Sequence, residues 1–391
     1  MTMPPPKGRS LALALIVAST LLGLMGTDLV LPAVPSLPEA LGGSTAAAQL
    51  VLAAYVAGTA IGLLAFGALG DRIGTRALLI ASLLLTGLVS FACAASTDIA
   101  TLIALRAVQG AVASGPAVFA PAIVKALFDE AGAVRAIGLL GSIESLAPAL
   151  APILGVWLLA LGGWDLSFEL IGGLAVLLAI AFALFPALPQ AARRPSGSYR
   201  RLLGDPVYLR YALSHALTLG GLLVFVFGAP AAIVRGMGGA LSSFIVMQVC
   251  GIATFIVAAN LAGTLAARHG AERMIAIGTA TCAAGALAIL AYLLAGGGDM
   301  WIVTALFVPM NLGLGLRGPP GFFRAVIASH GDDARGAALV ILGVVGATAL
   351  GTAAVAPFVE QGLTAPALAA TGIEIGALLF LLLPRLSEQR N

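Results

Sequence analysis

Twelve apolar stretches follow one another between short polar breaks, and no other feature limits the fold of this chain as strongly. They cover about 11–32, 46–69, 76–96, 99–124, 135–160, 164–188, 207–233, 241–266, 273–295, 299–323, 335–359 and 366–384. Crossing a hydrocarbon layer takes roughly 20 helical residues, and only a helix or a closed barrel satisfies its own backbone there. Hydrophobic residues make up 60% of the 391 and charged residues 9%, too few charges to clothe a soluble surface. The expected fold is all-α and integral to a membrane, with twelve transmembrane helices. The first stretch has flanking charges like a signal peptide, and Leu31-Pro32-Ala33-Val34-Pro35 mimics a cleavage region. Eleven further spans favour an uncleaved anchor.

Charge placement sets the orientation. With the N-terminus inside, seventeen of the 20 Lys and Arg residues fall on the cytoplasmic side and Arg235 alone falls outside. Arg106 and Arg317 lie within spans. This satisfies the positive-inside bias and places both termini in the cytoplasm.

The chain also repeats itself. Gly67-Ala-Leu-Gly-Asp71-Arg72-Ile-Gly74-Thr-Arg76 joins the second and third stretches, and a half-erased copy, Gly263-Thr-Leu-Ala-Ala-Arg268-His-Gly270, joins the eighth and ninth. Gly110, Gly115 and Pro116 match Gly313, Gly318 and Pro319 at one constant offset. The expected division is a six-helix bundle at 1–190, a Pro-, Ser- and Arg-rich cytoplasmic linker at 191–206 and a second, pseudo-symmetric six-helix bundle at 207–391. A solute path would run between the bundles, with a site near mid-membrane.

Several functions are disfavoured. Cys93, Cys250 and Cys282 are odd in number, lie inside spans and lack ligand spacing, so neither a disulfide framework nor a metal site is expected. No phosphate-binding Gly-x-x-x-x-Gly-Lys loop is present, so uphill transport would draw on an ion gradient. No catalytic constellation stands out, and the chain reads as a non-enzyme without cofactor. Its expected partners are a small-molecule solute, protons and the lipid bilayer, without nucleic acid, and its expected state is a monomer.

Five motifs in order carry a resemblance. Asp28-Leu-Val-Leu31-Pro32-Ala-Val-Pro35 ends the first span, and Gln49, Tyr55, Gly58 and Gly62 precede the charged turn. Arg106-Ala-Val-Gln109-Gly110, Ala147-Pro148-Ala-Leu-Ala151-Pro152-Ile-Leu-Gly155 and Gly163-Trp164 follow. Together they resemble the major facilitator superfamily, in particular drug/proton antiporters of the bicyclomycin-resistance type. The resemblance covers most of the first half and is architectural in the second. It implies the major facilitator fold, a bacterial-type inner membrane and efflux by alternating access. It also implies a conformational latch at Gly67, Asp71, Arg72, Gly74 and Arg76, set against the start of the eleventh span, where helix N–H groups favour an acid. The alternative is a loop that only sets topology. Thr75 replaces a usual basic residue and Ala126 a usual acid, leaving Asp129 or Glu130 as candidate partners of the arginines.

Charges inside the spans are the candidates for mechanism. Each costs roughly 2.5–3.5 kcal/mol at the bilayer centre, so neither Asp28 nor Arg106 should face lipid. Two readings stand: Asp28 exchanges a proton under the influence of Arg106, or the two are a static pair joining spans one and four. Glu144 is either a second protonatable group or a packing residue, and it recurs with Pro148, Pro152 and Gly155 at helical spacing, as if on one face. Ala147, Pro148, Pro152 and Gly155 would bend the fifth helix and allow close approach across the bundle interface. Asp28, Tyr55, Arg106, Gln109, Arg317 and Glu374 are the expected cavity lining. Arg317 sits in Gly315-Leu-Arg-Gly-Pro-Pro320, where a kink is expected; it binds an anionic solute or neutralises Glu374. The leading reading is a proton-coupled exporter of small amphipathic molecules. An organic-anion or metabolite transporter clamping its cargo with Arg106 and Arg317 is the alternative. A transport-inactive sensor or assembly factor is a third.

Overall fold

The computed structural model describes residues 6–184 and 197–386, except for the side chains at 6, 7, 45, 46, 71, 149 and 241. Residues 191–196 of the expected linker therefore lie outside the described residues, and its remainder includes a one-turn helix, Tyr199–Leu203. Helices account for all twelve expected spans, and the described residues contain no strand.

Span one is Pro6–Asp28, followed by a 3-10 turn at Leu31–Ser36 and a short helix at Leu37–Leu41. Pro32 and Pro35 lack the N–H groups that would continue the α-helical ladder through this stretch. Spans two and three are Thr45–Ile73 and Thr75–Ala94. Span four divides into Ile99–Ala113 and Gly115–Leu127, span five into Glu130–Glu144 and Ala147–Gly162, and span six is Leu166–Leu184. Span seven is Pro206–Ala231, eight Leu241–His269, nine Ala271–Leu294 and ten Met300–Ala328. Span eleven is Asp333–Val355 and twelve Thr364–Phe380.

Local chemistry explains the boundaries. Asp98, Asp205 and Asp299 cap spans four, seven and ten; their carboxylates accept from Thr101 N at 2.8 Å, Val207 N at 2.9 Å and Trp301 N at 2.8 Å. The Thr101 backbone and hydroxyl donors hold the exposed Asp98 carboxyl below its ordinary range. Span four breaks at Gly115-Pro116, because Pro116 cannot donate to the Val112 carbonyl. The Ser82 hydroxyl takes that place, donating to Val112 O at 2.6 Å. Span ten instead stays helical through Pro309, Pro319 and Pro320.

The duplicated charged turns have one geometry. Gly74 and Gly270 end spans two and eight at φ 102° and 86°, a left-handed conformation that favours glycine. Each N–H bonds back to the carbonyl four residues earlier, Gly70 O at 3.2 Å and Ala266 O at 2.9 Å. The erased acid of the second copy therefore leaves the turn intact.

The chain forms two compact units. One comprises residues 1–127, 143–198 and 332–338; the other comprises 128–142, 199–331 and 339–391. In the first, glycines bring spans two and four into backbone contact: a Cβ at Gly58 would lie 1.9 Å from Ala107 O, and one at Gly110 would lie 2.0 Å from Tyr55 O. In the second, Gly278 and Gly313 do the same for spans nine and ten, where the corresponding approaches are 2.5 and 2.4 Å. Glycine is the only residue that fits such crossings, and in lipid close packing must supply much of the helix association.

Candidate functional site

Arg106 is the centre of the first unit's polar interior. It is 0% exposed and enclosed by spans two, three, four and six. Its Nε donates to Val51 O at 3.2 Å and Nη1 to Gln109 Oε1 at 2.6 Å. The guanidinium carbon lies 4.2 Å from the Tyr55 ring centroid and 5.6 Å from that of Phe168, where the ring quadrupoles favour a cation. Gln109 Nε2 donates onward to Ser90 Oγ at 2.6 Å, and Ser90 donates to Thr86 O at 2.6 Å. Ser82, Thr86 and Ser90 are all buried at a spacing of four, one polar face of span three turned inward. That spacing was visible in the sequence and would have located the arginine's neighbours.

Asp28 closes span one without joining this network. It is half-buried, and no hydrogen bond or ion pair links it to Arg106. Tyr55 stands between the two chemistries: its ring carries the guanidinium, while its hydroxyl donates to Gly23 O on span one at 2.7 Å. The static Asp28–Arg106 pair is therefore not formed. The shared element is Tyr55, 5% exposed, a fastener between spans one and two and not an open cavity wall.

Span five corrects a second expectation. The helix ends at Glu144 and restarts at Ala147, so Glu144 does not continue the face of the following segment. The buried face there is Ala147, Ala151, Gly155 and Leu158, while Pro148 is exposed and Pro152 half-buried. Gly155 meets span one within the first unit. A Cβ on it would lie 2.3 Å from Leu29 O, next to Asp28. Glu144, half-buried at the break, faces Thr20 on span one, whose hydroxyl donates to Val17 O at 3.1 Å.

Arg317 and Glu374 occupy the interior of the second unit. Both are 0% exposed, so neither lines an open cavity. Arg317 donates from Nη1 to Ser214 O at 2.9 Å and from Nη2 to Ser214 Oγ at 3.2 Å. No ion pair within 4.0 Å joins Arg317 to Glu374, so they act on each other through space and not by direct contact. Both Glu374 oxygens lack a hydrogen-bond donor. Of the six residues expected to line the cavity, Asp28 alone is not buried; Gln109 is 0% exposed as well.

The latch residues are distributed differently from expectation. Arg76 Nη2 donates to Ala183 O at 2.9 Å and Phe182 O at 3.3 Å, closing the C-terminus of span six, where a cation is favourable. Arg72 is exposed and Gly67 buried; the Asp71 side chain lies outside the described residues. Asp129 caps its own helix through Gly132 N at 3.0 Å, and Glu130 pairs with Arg324 at 2.9 Å, so neither partners Arg72 or Arg76. The first turns of span eleven are instead held within the first unit. Lys125 Nζ bonds both Asp333 oxygens at 2.8 and 3.0 Å, and Arg335 bonds Asp332 at 3.0 Å and Ala68 O at 3.1 Å. These partners are more than 200 residues apart in sequence, except for the local Asp332–Arg335 pair, and no local spacing announced them.

Comparison with known proteins places this architecture. The Major Facilitator Superfamily model matches residues 16–357, and the chain belongs to that family of membrane transporters. The chain is 35% identical over 238 residues to an uncharacterised MFS-type transporter of Bacillus subtilis, spanning 58% of this chain and 59% of that protein. It is 29% identical over 292 residues to a chloramphenicol resistance protein of Pseudomonas aeruginosa, covering 71% and 68% of the two chains. A bicyclomycin resistance protein homolog of Haemophilus influenzae is 26% identical over 304 residues, 74% and 73% of the two. Among solved structures, the fucose:proton symporter FucP of Escherichia coli in its outward conformation superposes with a TM-score of 0.68 at 16% identity, over 95% of this chain and 99% of that one. That likeness establishes the fold. Multi-pass membrane embedding and handling of small-molecule solutes follow from the family.

Proposed function

We propose that the chain is a proton-coupled exporter of small, partly apolar molecules, working by alternating access. It works as a monomer in a bacterial inner membrane with both termini cytoplasmic. The observation that carries this reading is Asp28: a half-buried acid at the end of span one, tied to no cation, while Arg106 is committed elsewhere. An untied carboxyl can gain and lose a proton as its surroundings turn wet or dry, without dismantling a scaffold. Arg106 acts as a positioning residue: it holds Tyr55, and Tyr55 holds span one. Gly155 fixes the same helix end from the opposite side. Glu144 is a second protonatable group on span one's flank, deeper than Asp28. The resistance proteins among the relatives support a drug-like cargo.

The organic-anion alternative needs an arginine open to solute, and both membrane arginines are fully enclosed. Purified protein in liposomes under an imposed pH gradient tests the reading. Lipophilic cations and neutral drugs should move against the gradient and carboxylates should not compete. Selective flux of carboxylates would sink it.

A further inference from the structure

Glu374 is an acid placed where a carboxylate has nothing to hold it. It lies mid-way along span twelve, 0% exposed, and neither oxygen receives a hydrogen bond. Helices of spans seven and nine pack against its own. The groups facing it are the Thr218 hydroxyl from span seven, Cys282 from span nine and Arg317 from span ten. His215, also on span seven, faces Arg317 and packs on Phe322 with ring centroids 5.3 Å apart. Thr218 spends its own hydrogen on Ser214 O at 2.8 Å, and Cys282 its hydrogen on Met310 O at 3.1 Å. Of these three groups Arg317 therefore has the spare donor, its unbonded Nε, and it stands beyond ion-pair distance.

An ionised carboxylate enclosed this way suffers a desolvation penalty with no hydrogen bond or close ion pair to offset it, whereas the protonated acid is neutral. Glycine backbones pack directly against both side-chain heads. A Cβ at Gly221 would lie 3.2 Å from Glu374 Oε1, and one at Gly321 would lie 2.7 Å from Arg317 Nη2. The missing Cβ at these two positions lets both heads lie against backbone inside an otherwise packed bundle.

We propose that Glu374 is a proton-binding site inside the second unit, distinct from Asp28 and Glu144, whose proton is exchanged against a swing of Arg317 from Ser214 onto the carboxylate. With the proton bound, the acid is neutral and the guanidinium rests on Ser214, the arrangement seen here. When the O–H bond breaks and the proton passes to water, the guanidinium moves to the new anion and releases the Ser214 carbonyl and hydroxyl. Proton binding stands independently of the cargo. Its use in the cycle rests on the proton-coupled reading and adds one proton to that carried by Asp28.

Infrared spectroscopy of the purified protein in lipid reads this carboxyl directly. At neutral pH the wild type should show a protonated-carboxyl carbonyl band. The component of that band lost in Glu374→Gln should shift in frequency in Glu374→Asp and persist in Asp28→Asn. Raising the pH should remove it from the wild type at lower pH than from Arg317→Met, which lacks the cation that stabilises the anion. If Glu374→Gln fails to fold, the Glu374→Asp shift carries the same test. A spectrum unchanged by either Glu374 substitution overturns the proposal, as does a band equally resistant to alkali in wild type and Arg317→Met. A transport result on Asp28 leaves this outcome untouched, because the difference between the wild-type and Glu374-variant spectra reports Glu374 alone.

Discussion

Arg106 rests against two aromatic rings, a glutamine and a backbone carbonyl, whereas Arg317 has one serine and, beyond ion-pair distance, an acid. They are not copies of each other. The offset that aligns Gly110 with Gly313 sets Pro309 opposite Arg106 and Ser114 opposite Arg317. In the shared helix frame the two cations therefore stand eight residues apart, about 12 Å of rise. Duplication preserved the left-handed turns, while the glycine pair that brings backbones together joins spans two and four in one copy and nine and ten in the other, and charge was placed separately in each. The first cation is held by groups that do not titrate near neutrality and works as a fixed strut. The second sits beside a carboxyl and can change partners.

This contrast gives an order of effects. Arg106→Met should be the most damaging, because it strips Gln109 and Val51 O of a charged donor and Tyr55 of its cation. The expected loss is roughly 3–5 kcal/mol, read as a fall in melting temperature of the detergent-purified protein. Arg317→Met, which frees only Ser214, should cost about half of that, and equal losses would break the comparison. Gln109→Leu should cost about 1–2 kcal/mol, leaving Arg106 Nη1 and Ser90 without their partner. Ser214→Ala keeps the backbone acceptor at Arg317 and should cost about 1 kcal/mol. Asp28→Asn should change stability by less than about 0.5 kcal/mol, since no bond ties that side chain. A large destabilisation there would mean that Asp28 is structural after all.

Sequence carried the architecture well because its constraints are local and repeated. Span length, polar breaks, the positive-φ glycines at 74 and 270 and the Pro116 break each follow from a few neighbouring residues. The site was less legible, for a physical reason. A charge within a span must avoid lipid, and it can do so by facing a solute path or by turning into its own bundle. Arg106, Gln109, Arg317 and Glu374 take the second course, and hydropathy alone cannot separate the two. The Ser82, Thr86 and Ser90 stripe did hold the missing information, because hydroxyls at that spacing mark an inward polar face. Lys125–Asp333 and Arg335–Ala68 O had no such trace, being contacts between segments remote in sequence.

The central claim is that Asp28, free of any cation, carries the exchanged proton while Arg106 only shapes its surroundings. Liposomes reconstituted with wild type or Asp28→Asn, loaded with a pH-sensitive dye and challenged with a lipophilic substrate, test it most directly. The wild type should move protons opposite to substrate, and Asp28→Asn should bind substrate yet complete no exchange cycle, so that no protons move. Proton movement by Asp28→Asn at the wild-type rate would contradict the account.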